Sequence, residues 1–126
     1  MTNDEARRYF RDKGLTYRKL RRYDVDLLKG YIGHELARYA KTDDIRRIAD
    51  YRVCKRIHFH GTKSGRLQYA AIRVSGSYFR HREAVTFNGD GFIGFCGWAS
   101  SYNAEPILTA FCKWCDYVSS ALEAER

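Results

Sequence analysis

Apolar residues change their spacing twice along this chain, and few folds accommodate both changes. Up to about residue 48 they recur every three to four positions. From Tyr51 they alternate, and after Asn103 they return to helical spacing. A segment patterned for a helix does not settle as a strand, or the reverse. The order is therefore helices, strands, helix. In 126 residues these elements are expected to share one core. The expectation is a single α+β domain over 1–126: two N-terminal helices, a four-stranded antiparallel sheet and a C-terminal helix packed on the sheet.

The first helix is predicted over Asp4 to Lys13, with Thr2 and Glu5 at capping-box spacing and Gly14 as its left-handed stop. Thr16 to Tyr23 reads as a basic connector with a single helical turn. Asp24 is the expected cap of a second helix reaching Ala40, with Val25, Leu28, Tyr31, Ile32, Leu36 and Tyr39 on its apolar side. Thr42-Asp43-Asp44 is expected to open a short turn through Ile45 and Ile48. The strands are predicted over Tyr51–His60, Leu67–Val74, Tyr78–Phe87 and Phe92–Trp98. Turn signals lie at Gly61–Gly65 and Asn88-Gly89-Asp90-Gly91. Asn103 is the expected cap of the last helix, with Pro106 in its first turn. Ile107, Leu108, Phe111, Cys115, Val118 and Leu122 form the expected buried stripe, and Trp114 stands at its margin.

Charge is unevenly divided. Residues 1–82 hold 21 Lys/Arg against 9 Asp/Glu, whereas residues 83–126 hold 2 against 6. Sixteen of the 23 basic residues are Arg, whose planar fork suits phosphate and carboxylate. Such asymmetry directs a field and favours polyanions at one face. Hydrophobic residues at 44% are sufficient for a core, so charge does not imply disorder. No apolar run approaches the ~18 residues of a membrane span, and the start lacks a signal-peptide pattern. No membrane partner is expected. The expected location is the cytoplasm, where Cys54, Cys96, Cys112 and Cys115 would be reduced thiols.

The strand Tyr51–His60 presents Arg52, Arg56, His58 and His60 on its polar side, and Arg73 and Arg80-His81-Arg82 fall on expected neighbours. Tyr69, Tyr78 and Phe79 intervene. Cations mixed with stacking rings are the chemistry of single-strand nucleic-acid grooves. The expected contacts are Arg52, Arg56, His58, Arg73, Arg80 and Arg82, with Arg18, Arg21 and Arg22 as auxiliaries and Tyr69 and Tyr78 for stacking. The plainer alternative is a set of solvated faces on an ordinary basic protein. Cys112 and Cys115 have C-x2-C spacing, with Cys54, His58 and His60 as further metal-ligand candidates. The pair falls inside a helical pattern, however, and Cys115 lies on its apolar stripe, so neither metal nor cofactor is expected. His81 and Glu83 share a strand face and form a candidate acid–base pair, with Asp90 or the pair His58 and His60 as other candidates. Gly30-Tyr31-Ile32-Gly33 resembles half of a GIY-YIG nuclease signature but lies within a helical pattern, so it is discounted.

Phe87-Asn88-Gly89-Asp90-Gly91-Phe92-Ile93-Gly94-Phe95-Cys96-Gly97-Trp98, with Asn103 and Pro106-Ile107-Leu108, resembles small proteins encoded by phages and mobile elements. The resemblance implies an accessory protein acting against host defence, anti-CRISPR proteins among them, in the host cytoplasm. Together these readings give a non-enzymatic binding protein that engages nucleic acid or a nucleoprotein machine through an Arg-rich face. The alternatives are a protein–protein module meeting an acidic partner, a small hydrolase or nuclease using His81 and Glu83, and a protein sequestering a small anionic nucleotide.

Overall fold

The computed structural model describes residues 3–41, 51–61, 67–76, 79–88, 91–95 and 105–125. It is an α+β fold with three helices on one face of an antiparallel sheet. Helix α1 (Asn3–Asp12) stops where Gly14 adopts φ +75°. Gly14 N–H donates to Arg11 C=O at 2.8 Å and Leu15 N–H to Phe10 C=O at 3.2 Å, the paired closure of a Schellman motif. A Cβ at Gly14 would meet nothing within 4 Å, so backbone handedness alone selects glycine there. The connector holds a single 3-10 turn at Tyr17–Lys19.

Helix α2 (Arg22–Ala40) begins two residues before the expected cap. Asp24 is its third residue, and the carboxylate reaches back to accept the Arg21 N–H at 2.8 Å. Asp24 thus satisfies an orphan donor from inside the helix. The expected Thr2 and Asn103 caps and the turn through Ile45 and Ile48 lie outside the described residues. Helix α3 (Glu105–Ala124) keeps its predicted stripe, with one correction. Trp114 is fully buried and central, not marginal, whereas Leu108 and Leu122 are only partly buried. Its ring lies 6.3 Å from Phe10 at 8°, 5.7 Å from Phe87 and 5.9 Å from Phe111. Its Nε1–H donates to the Asp24 carbonyl at 2.7 Å.

The sheet comprises β1 (Arg52–Val53), β2 (His58–Gly61), β3 (Leu67–Gly76), β4 (Phe79–Asn88) and β5 (Gly91–Phe95). Both β1 and β2 pair with the edge of β3 opposite β4, and β5 lies beyond β4. The four-strand expectation is thus matched in part, because the predicted strand Tyr51–His60 is broken. From Val53↔Val74 to His58↔Ala71 one side advances five residues and β3 three. The two surplus residues loop out in the stretch 54–57. Lys29 Nζ holds that stretch by donating to the Lys55 carbonyl at 2.9 Å, and Cys54 N–H donates to Arg73 C=O at 2.8 Å. An even surplus preserves the pleat, so Tyr51 and Val53 on one side of the break and Phe59 on the other still pack towards the core.

A second irregularity shifts parity. Ile72 pairs with Val85 but Arg73 with Glu83, leaving Ala84 as an extra residue in β4. Ala84 and Val85 are both fully buried beside Ala70, Ile72, Val74 and Phe87. Strict alternation from Val85 would place Glu83 on that hydrophobic side. The bulge aligns it with Arg73 on the other side.

Helices α2 and α3 are also joined by a buried charge. Glu35, 1% exposed, accepts Lys113 Nζ at 2.7 Å and Arg38 Nη2 at 2.8 Å. Burial opposes its ionisation, but the hydrogen bonds from Lys113 and Arg38 outweigh that and hold its pKa below the ordinary value. Stabilisation from this group is therefore complete above the unfolded Glu range, about 4.3, and disappears as pH falls through the lower folded value.

Trp114→Ala is expected to lower unfolding free energy by about 3–5 kcal/mol in denaturant titration. Trp114→Phe, which keeps a ring but removes the indole hydrogen bond to the Asp24 carbonyl, should lose about 0.5–1.5 kcal/mol from that bond. Glu35→Gln should lower the denaturant midpoint at neutral pH and lose less on acidification to about pH 3 than the parent does. Superimposable acid profiles would remove the Glu35 triplet from the account.

Candidate nucleic-acid interface

Strand β3 sorts its residues by alternation: Ala70, Ile72 and Val74 join the core, and Tyr69, Ala71, Arg73 and Ser75 take the opposite face. Among the described residues no helix lies on that face, and Tyr69, Arg73, Ser75, Glu83 and Thr86 are half-buried there. Register extends it into rows across the sheet. His60, Tyr69 and Asn88 form one row, and His58, Ala71, Thr86 and Gly94 the next. Arg73 with Glu83 follows, then Arg52 opposite Ser75. Ala71 is fully buried although outside the core cluster, a methyl floor within a polar surround.

One network organises this face. Tyr69 Oη donates to Glu83 Oε1 at 2.6 Å, and Thr86 Oγ1 approaches Glu83 Oε2 at 3.5 Å. Burial and the bond to Glu83 push the Tyr69 phenol up to about 12, so it remains a donor through the physiological range. Arg73 Nε is buried and finds no acceptor among the described residues. Cys54 Sγ and Ser75 Oγ meet at 3.4 Å at the far end.

The expected contact residues divide between two sides. Arg52 is exposed at the outer-face row, with Nη1 donating to the Tyr51 carbonyl at 2.8 Å. Arg56 is exposed in the loop between β1 and β2. Arg73 and Tyr69 share the outer face, and the register places His58 in their neighbourhood. Arg82 is paired in the register with Val74, a core position, and so falls outside the outer-face rows, and Arg80 lies next to the Phe79–Gly76 pair. The auxiliaries belong elsewhere. Arg18 is in the 3-10 turn. Arg21 is engaged by Asp24 and Glu125, each at 3.4 Å. Arg22 lies over the Phe59 ring at 4.9 Å, against a residue packed on the core. Tyr78 lies outside the described residues.

The helices neutralise most of their own charge. Ion pairs there take up Asp4, Asp24, Asp26, Glu35, Asp116 and Glu125. Among the described residues Glu83 is the acid of the sheet, and its bonds to Tyr69 and Thr86 account for one lone pair on each oxygen. The sequence alone does not reveal this network, because the Ala84 bulge decides which side of β4 Glu83 occupies. Among the described residues no group of three His, Cys, Asp or Glu is placed to hold a metal. Cys115 is fully buried and its thiol is pushed up by burial, as is that of Cys112. No described helix is long and apolar enough to cross a membrane.

No protein-family model matches the chain, and the comparisons with curated proteins and with solved structures give no match either.

A double-mutant cycle over Tyr69→Phe and Glu83→Gln should return a coupling of about 1–2 kcal/mol in unfolding free energy. Coupling indistinguishable from zero would mean that this bond does not organise the face in solution.

Proposed function

We propose that this protein binds single-stranded nucleic acid on the helix-free face of its sheet. The observation that carries the reading is one surface combining a fixed tyrosine, Tyr69, with Arg73 and bordered by exposed Arg52, Lys55 and Arg56. Guanidinium groups supply phosphate contacts that are indifferent to sequence, and an aromatic ring offers a stacking surface to any base. Three adjacent strands, about 10 Å across, give the width that an extended strand needs. The Arg-rich border also suits the acting mode expected of a phage accessory protein, occupation of a nucleic-acid surface in a host defence complex. In this reading Arg21 and Arg22 are structural, since each is engaged within the chain.

Fluorescence anisotropy with labelled single-stranded oligonucleotides tests the proposal. Binding should weaken steeply with salt. The combined Arg52→Ala and Arg56→Ala variant should lower the slope of log K against log salt by about 1.4, the value for two lost phosphate contacts on a single strand. Its unfolding free energy should stay within about 0.5 kcal/mol per substitution. No binding at low salt, with capture of an acidic protein surface instead, would replace nucleic acid by a protein partner.

A further inference from the structure

A carboxylate in the middle of a polyanion-binding face needs an explanation. A phosphate placed against Glu83 would be repelled by its like charge. Arg73, paired with Glu83 in the register, lies beside it and offsets part of that field. The strand must therefore place its phosphates towards Arg52, Arg56 and Arg73 and turn something else towards Glu83. What a carboxylate accepts is a hydrogen-bond donor.

The donors already present orient it without exhausting it. Tyr69 holds Oε1 at 2.6 Å and Thr86 stands 3.5 Å from Oε2. Each oxygen of an ionised carboxylate has two acceptor sites, so one on each oxygen remains. Two parallel acceptors fit two parallel donors, the geometry that makes bidentate charge-assisted pairs strong and selective. Among unpaired nucleobases, guanine alone carries two adjacent donors of this kind, N1–H and the 2-amino group. Uracil, thymine, cytosine and adenine offer one donor group each on that edge. The ribose 2′-hydroxyl also offers one. The Tyr69 ring, anchored through its hydroxyl, lies beside the same carboxylate and supplies apolar contact to a base held there.

We infer that Glu83 is a guanine-reading residue: the two free acceptor sites of its carboxylate take the N1–H and 2-amino donors of an unpaired guanine, while Arg73 and the Arg52–Arg56 border hold the flanking phosphates. The inference rests on the single-strand binding proposed above and adds a base preference to it. The recognised chemistry is the guanine base, whether carried by RNA or DNA.

The test uses the full chain and labelled oligonucleotides of one length, in RNA and DNA arms. One set contains only uracil or thymine, a second carries isolated guanines, and a third has inosine at those positions. Inosine keeps N1–H and lacks the 2-amino group. Guanine-containing strands should bind about tenfold more tightly than the other two sets. Glu83→Gln should abolish that preference, so that the three sets bind the variant with equal affinity. Equal affinity of the parent for all three sets, or a preference that survives Glu83→Gln, overturns guanine reading and leaves the binding face standing. Absence of binding to every oligonucleotide removes both. The inosine comparison needs no variant, so it decides the matter even where Glu83→Gln fails to fold.

Discussion

The position of one indole ring governs much of this fold. Trp114 of α3 stacks on Phe10 of α1, meets Phe87 of β4, and donates its N–H to the first turn of α2. A ring fixed on all these sides fixes the elements that carry its neighbours. Tyr17 extends the packing, its ring 5.7 Å from Phe87 and inclined by only 11°. With Phe87 obliged to face inward, alternation assigns Val85 inward too, and everything further back along β4 is set by the spare residue at Ala84. The polar face is thus decided from inside the molecule.

The broad architecture was legible from hydrophobic period, since burial of one face imposes spacing wherever an element is long. Helix α3 and strands β3 and β4 follow their apolar patterns to within two residues. What the pattern does not show is set by partners distant in sequence or by a choice between equivalent local positions. The break between β1 and β2 depends on the register against β3. Trp114 stands at the margin of the α3 stripe because Phe10 and Phe87, which bury it, belong to α1 and β4 and not to the helical wheel of α3. Asp24 was recognisable as a capping residue, but a carboxylate caps equally well from the third helical position. Glu35 lies beside Leu36 on the buried side of α2, where the apolar pattern conceals it. Its spacing to Arg38 was the available clue, but Lys113, 78 residues away, completes the set.

The candidate site was legible as a composition and not as a geometry. Arg52, Arg73 and Tyr69 follow from alternation, whereas Arg56, set by the same rule on a strand face, falls in the loop between β1 and β2. Arg21 and Arg22 looked equivalent to them by charge, yet one closes a helix terminus and the other covers Phe59. A count of positive residues therefore overstates the active surface, because Arg also serves as an apolar cover and a capping partner. With helix acids matched by helix cations, the net positive charge of the described residues lies chiefly around the strands.

Ala84 also shows how this surface tolerates a change of strand length. Without that residue Val85 would follow Glu83 directly, and plain alternation would still set Glu83 opposite Arg73 on the polar side. The bulge therefore absorbs one additional residue without turning the strand over. A residue added to β4 where the ladder does not loop it out would instead carry every position before it to the other face.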